Sequence, residues 1–204
     1  MVQIDKSALI GKGRHRECYP HPEVDNLCIK VDAPGNPKEN RRERNYYRYL
    51  ESRGICWDMI PAYHGVIETN LGPGSVFDLI LDEEGSTSKS LQHYLSSDNK
   101  TAAFYDRLSA SLHALKDYML QQRIVPMTLK PKNILCKKLV CGDFRLFIID
   151  NIGNSDFIPI CNYSGYLARR KILRKWQRFE DGLLKKYRHD PALRQMLAAN
   201  QHRS

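Results

Sequence analysis

No two of the six cysteines stand in a C-x-x-C pair. Zinc knuckles and ribbons are built on closely spaced ligand pairs, so a structural zinc site is not expected. No apolar run approaches the roughly 20 residues that span a bilayer, and the mean hydropathy is −0.54. The first residues, Met1 to Lys6, lack a basic stretch followed by an apolar one. A secretory signal is therefore not expected, and the expected compartment is the cytoplasm, where thiols stay reduced. Cys28, Cys136 and Cys161 have aliphatic neighbours and read as small packed hydrophobes. Internal repeats and low-complexity segments are missing as well. What remains is a chain of 204 residues, 42% hydrophobic and 27% charged. That balance excludes disorder throughout and predicts one folded domain.

Charge is unevenly placed. Residues 164–204 carry 11 Lys or Arg against 3 Asp or Glu, which accounts for +8 of the +9 net charge. Leu167, Ile172, Leu173, Trp176, Phe179, Leu183 and Leu184 recur there at helical spacing, so one face of this basic helix is expected to pack against the rest of the chain. The cationic remainder is either a solvated face or a surface for nucleic acid or acidic membrane, with Trp176 and Tyr187 as stacking or interfacial groups.

The pattern of elements predicts an α+β fold. A strand over 8–10, a glycine turn at 11–13 and a return strand lead to a strand over 27–31, in which Leu27, Ile29 and Val31 alternate with Cys28 and Lys30. That alternation puts Lys30 on the non-core face. A helix over 38–52 ends at Gly54, and strands over 65–68 and 75–81 form a hairpin around 70–74. A short helix over 91–95 precedes a long one over 101–122, whose stripe is Phe104, Leu108, Leu112, Leu115 and Met119. Strands over 134–136 and 146–149 flank a turn at 141–143, and basic helices close the chain. The organisation expected is one domain, with a sheet and one helix over 1–82, a mixed part over 83–163 and the basic helices over 164–204. Ligands are expected where the sheet part joins the helical part.

Several residues bear chemistry in that order. Gly11 and Gly13, in a strand-turn-strand context, suit backbone amides laid over phosphates. Lys30 is a compact cation suited to phosphate oxygens. Glu43, on the following helix, is placed either to hold the Lys30 head or to balance the neighbouring arginines, with Glu39 the competing choice one turn earlier. The string Leu129-Lys130-Pro131-Lys132-Asn133-Ile134-Leu135 is followed by Ile148-Ile149-Asp150-Asn151-Ile152-Gly153. A carboxylate at the end of an aliphatic strand, with an amide oxygen from a nearby loop, forms a hard-oxygen set suited to Mg²⁺. For either string alone the better reading is a capped turn after a strand, with Asp150 bonding backbone amides.

Taken in order, these residues resemble the protein-kinase-like superfamily. Gly11-Lys12-Gly13 resembles the glycine-rich loop and Leu27-Cys28-Ile29-Lys30 the strand whose lysine holds the α- and β-phosphates. Glu43 matches the helix glutamate that pairs with this lysine, Asn133 the metal-binding asparagine of the catalytic loop, and Asp150 to Gly153 the metal-binding D-F-G turn. More narrowly, Gly13-Arg14-His15-Arg16-Glu17-Cys18 and the run from Asp150 to Pro159 are similar to the YrbL family of the PhoP regulatory network. The resemblance implies a bacterial protein with a small antiparallel N-lobe and a reduced, mainly helical C-lobe, and with ATP and Mg²⁺ as ligands.

The departures from the kinase pattern are specific. Arg16 replaces the third glycine, and Met127 the arginine that receives an activation-loop phosphate. Thr128 occupies the position of the catalytic aspartate. A threonine hydroxyl is not a general base at neutral pH, and losing that base typically costs about 10²–10⁴ in rate. Lys130 remains to neutralise a γ-phosphate. Fewer than sixty residues follow Gly153, too few for the subdomain that seats protein substrates. The readings, in order, are ATP–Mg²⁺ binding with weak phosphotransfer and no protein substrate, then a pseudokinase with a regulatory or scaffolding role, then nucleic-acid or membrane binding through 164–204.

Overall fold

The computed structural model describes residues 1–13, 16–32, 37–98, 100–153 and 164–201, and within these not the side chains of 37–40 and 201. The chain forms two compact units, Met1–Leu81 and Asp82–Ser204. The first is an antiparallel sheet with one helix; the second is mostly helical with a small antiparallel sheet. Together they make the α+β class expected from the pattern of elements.

In the first unit, β1 (Gly11–Lys12), β2 (Arg16–Pro20), β3 (Leu27–Asp32), β4 (Tyr63–Thr69) and β5 (Gly72–Asp78) form a sheet of order β1-β2-β3-β5-β4. Helix α1 spans Pro37–Ser52 between β3 and β4. Two boundaries differ from expectation. Lys6–Ala8 is a 3₁₀ turn, capped where the Ser7 amide donates to Asp5 Oδ1 at 2.8 Å, so the strand starts at the glycines. At the second hairpin, Gly72, Pro73 and Gly74 belong to β5. Pro73 lacks an amide to donate, and it is tolerated because the pairing of β5 with β3 stops at Gly74.

Strand β3 is covered on both sides: Cys28, Ile29, Lys30 and Val31 are all buried. On one face Ile29, Val31, Val76 and Tyr19 pack with Val2 and Ile4. The N-terminal segment is held there by the Asn70 side chain, which accepts from the Ile4 amide at 2.8 Å and donates to the Ile4 carbonyl at 3.1 Å. On the other face Phe77, opposite Cys28, meets Tyr47 of α1, with ring centroids 5.1 Å apart. Lys30 shares this second face, so the single buried face expected of β3 is corrected: Lys30 is only 8% exposed.

Close packing fixes the register. A Cβ at Gly74 would stand 2.4 Å from Ile29 Cγ2, in the middle of the buried cluster. Gly74→Ala is expected to cost about 1–3 kcal/mol through this overpacking. Urea denaturation checks it, and Ile29→Val in the same chain should recover part of the loss.

The second unit contains β6 (Lys89–Ser90), α2 (Leu91–Leu95), α3 (Ala102–Gln121), β7 (Ile134–Lys138), β8 (Phe144–Ile148), α4 (Gly165–Lys186) and α5 (Pro191–Gln201). Its sheet runs β6-β7-β8, with Ile134 opposite Ile148. Thr101, Ser90 and Ser164 cap α3, α2 and α4, each hydroxyl accepting an amide three residues on. Helix α3 packs against β8, α4 and α5, burying Leu108, Leu112, Leu115 and Met119, whereas Phe104 stays half-buried. Among the described residues, no helix is long and apolar enough to cross a membrane.

Candidate functional site

In the first unit the side chains of interest stand on the α1-facing side of the sheet. Cys18 lies opposite Lys30, and Lys30 opposite the buried Ser75. Lys30 Nζ sits 4.3 Å from the centroid of the Phe77 ring, close enough for a cation–π contact. Arg16, at the start of β2, reaches across to Glu43 of α1 and forms an ion pair. Arg16 is little exposed and Glu43 is buried, and among the described residues Glu43 Oε1 makes no hydrogen bond. The Lys30–Glu43 pairing implied by the resemblance is thus replaced by Arg16–Glu43. The physical reason is register: Arg16 lies opposite Asp32, two residues beyond Lys30 on the same face, and its longer guanidinium fork reaches the carboxylate. The Glu39 side chain lies outside the described residues.

Gly11 pairs with Cys18, and the Gly13 amide donates to the Arg16 carbonyl at 2.8 Å, closing the hairpin. That amide is used within the protein, and residues 14 and 15 between its two ends lie outside the described residues. Lys12 pairs with Glu17 at 2.9 Å on the surface.

The second unit brings Asn133 and Asp150 together by a backbone ladder. The Ile149 amide donates to the Asn133 carbonyl at 3.0 Å, one residue before Asp150. Beyond it, the Met127 amide donates to the Asn151 carbonyl at 2.7 Å and the Gly153 amide to the Val125 carbonyl at 3.0 Å. Pro126 and Ile152 bridge between them. Positive φ at Asn151 (61°) and Gly153 (141°) turns the chain sharply after Asp150. Asn133 is buried at the end of the 3₁₀ turn Pro131–Asn133. Asp150 is half-buried, and Thr128 and Lys130 are exposed on the same loop. Lys175 of α4, which sequence reasoning missed, holds this loop by donating to the Met127 carbonyl at 2.6 Å. It was hidden because a lysine in a basic helix carries no local sign of its distant acceptor.

Among the described residues no group of three or more His, Cys, Asp or Glu could hold a metal. The oxygen pair of Asn133 and Asp150 still fits Mg²⁺, which is commonly bound by one or two carboxylates and completed by water and phosphate oxygens.

The basic helices resolve differently from the expectation placed on their aromatics. Trp176 is 3% exposed, with its indole N–H donating to the buried Glu180 carboxylate at 2.8 Å. A ring packed there cannot stack on a base, so its reading as a stacking or interfacial group is corrected. Tyr187 is half-buried at the end of α4, with Lys186 Nζ 5.3 Å from its ring. Arg169, Arg170, Arg174 and Arg178 are exposed together with Tyr166, Leu167 and Leu173. Leu167 and Leu173, expected in the packing stripe, are therefore surface residues.

These observations define an α+β protein with a buried lysine on its sheet and an asparagine–aspartate oxygen pair in its helical unit. The chain belongs to the YrbL family: the model described as PhoP regulatory network protein YrbL matches residues 2–183. The YrbL protein of Escherichia coli (strain K12) is 39% identical over 182 residues, spanning 88% of this chain and 86% of that protein. YrbL of Shigella flexneri matches to the same extent. Solved structures of two variants of the Mycobacterium tuberculosis PknI kinase domain are similar with TM-score 0.49, at 17% and 16% identity. Each match covers 70% of this chain, but only 56% and 57% of those chains.

Proposed function

We propose that this chain binds ATP with Mg²⁺, in the manner its ordered motifs share with kinase-like proteins. Lys30 contacts phosphate oxygens, and Asn133 and Asp150 supply metal ligands. The observation that carries the reading is the ladder that sets Asn133 beside Asp150 through the Ile149 amide. Mg²⁺, when bound, neutralises phosphate charge and orients the transferable group. Lys130, exposed on the same loop, adds a positive charge for the γ-phosphate. Thr128 offers a hydroxyl where a general base would stand, so phosphotransfer is slow, and a protein substrate is not part of the reading.

Thr128 also supports a second reading, a pseudokinase that binds nucleotide without turnover and acts through a partner. A thermal-shift titration with ATP, with and without Mg²⁺, tests the binding common to both. A ligand at 100 times its Kd stabilises by about 2.7 kcal/mol. Asp150→Ala is expected to abolish the Mg²⁺-dependent part of that shift, and Lys30→Ala most of the total. No shift at millimolar ATP overturns the proposal. ATP turnover that survives purification and vanishes in Lys30→Ala selects the first reading over the second.

A further inference from the structure

Helix α4 has two faces of different character. One buries Ala168, Ile172, Trp176, Phe179 and Leu183, and that side is already used against α3 and α5. Two of its lysines also serve the fold: Lys171 is 4% exposed, and Lys175 donates to the Met127 carbonyl. The other face carries Arg169, Arg170, Arg174, Arg178, Lys185 and Lys186, all exposed. Against these six cations the helix exposes one acid, Asp181, since Glu180 is buried beside Trp176.

This row works against the helix that carries it. Arg170, Arg174 and Arg178 follow at intervals of four, so each repels the next along the surface. The arginines also frame an apolar stripe. Tyr166 and Leu173 stand seven residues apart, which puts them on one line two turns long, and they are 68% and 36% exposed. At about 100° per residue, Arg169 flanks that line on one side and Arg170 with Arg174 on the other. The Arg170 guanidinium lies 5.8 Å from the Tyr166 ring.

We propose that the outer face of α4 docks on the surface of an anionic bilayer. The arginines meet lipid phosphates, which a guanidinium fork binds in bidentate fashion. Tyr166 and Leu173 settle at the boundary between headgroups and acyl chains, where an amphipathic ring is favoured. Charge complementarity selects a polyanion, and the stripe selects a bilayer among polyanions, because the duplex backbone offers phosphates without an apolar boundary. A second copy is disfavoured, since two such faces bring like charges together. Among the described residues no helix is long and apolar enough to cross a membrane, so this contact is peripheral. The buried face of α4 stays in the core, and the chain docks as a folded body. The proposal goes beyond nucleotide binding and uses none of Lys30, Asn133 and Asp150.

The test is flotation of the full chain, without nucleotide, on vesicles of phosphatidylcholine alone or mixed with phosphatidylglycerol. Binding is expected only to the mixed vesicles, and it should be lost near 1 M salt, where charges are screened beyond about 3 Å. Arg170→Gln with Arg174→Gln should weaken it roughly 25-fold, about fivefold for each cation removed from the surface. The Tm of that variant should equal or exceed wild type, because the repulsion along the row is relieved. Tyr166→Ser with Leu173→Ser should weaken vesicle binding roughly tenfold through lost apolar burial, while leaving any binding to duplex DNA unchanged. No flotation with the mixed vesicles overturns the proposal, as does equal flotation with phosphatidylcholine alone. Displacement from vesicles by duplex DNA, with the Tyr166→Ser, Leu173→Ser variant unimpaired, also overturns it and assigns the face to nucleic acid. The ATP-dependent thermal shift should be the same in all these variants, so failure on vesicles and failure to bind nucleotide are read separately.

Discussion

Replacing Arg16 by methionine is expected to destabilise the sheet unit by about 3–5 kcal/mol, the usual cost of stranding one member of a buried ion pair. Glu43 is 2% exposed and, among the described residues, already has one carboxylate oxygen without a hydrogen bond, so its charge depends on the Arg16 guanidinium. Methionine keeps most of the side-chain volume and removes only the charge and its donors. The double variant Arg16→Met with Glu43→Leu removes both charges and is expected to recover most of the loss, because an apolar pair of similar volume is often neutral or better. Guanidinium denaturation of the two single variants and the double variant closes the cycle. A loss below about 1 kcal/mol in Arg16→Met would put the pair in the class of screened surface contacts. If Glu43 depended on Lys30 instead, Lys30→Met would take the large loss and Arg16→Met would be spared.

That contest between Arg16 and Lys30 marks where the sequence stopped being legible. The local features were readable: the alternation through Leu27, Ile29 and Val31, the stripe through Leu108, Leu112, Leu115 and Met119, and the spacing of Asn133 and Asp150 about a short hairpin. Each follows from a period of two or 3.6, or from a tight turn. The partner of Glu43 follows from none of these. It depends on the register of β2 against β3, which sets Arg16 opposite Asp32. The cover over the second face of β3 was hidden for a similar reason. Tyr47 of α1 covers that face by packing on Phe77, which lies opposite Cys28. Lys30 was accordingly placed on an open face when both faces are covered. In the helical unit, a stripe of seven apolar positions was visible in the basic segment. Which of them pack depended on where α3 and α5 lie, and that left Leu167 and Leu173 at the surface.

Trp176→Ala is expected to cost about 3–5 kcal/mol, the range for deleting a large buried aromatic. In a chain of this size that is a fall in Tm of roughly 6–20 °C. Two losses combine. The ring packs edge-on against Phe179, with centroids 5.5 Å apart, and lines a small pocket together with Leu112 of α3 and Asn200 of α5. Its indole also supplies the hydrogen bond to Glu180, a carboxylate only 6% exposed. Trp176→Phe keeps much of the packing but still strands that carboxylate, so it should fall between wild type and alanine, and adding Glu180→Leu should recover part of the difference. Stability of Trp176→Ala equal to wild type would remove the ring from the helical core. The same variants separate structure from surface chemistry: Arg170, Arg174 and Arg178 stay exposed whatever stands at 176. Retention on heparin should therefore follow charge reversal at those arginines, and should be unchanged in Trp176→Phe at temperatures where it is folded. Loss of retention in Trp176→Phe while folded would mean that the indole itself reaches the polyanion, which its burial against Glu180 and Phe179 forbids.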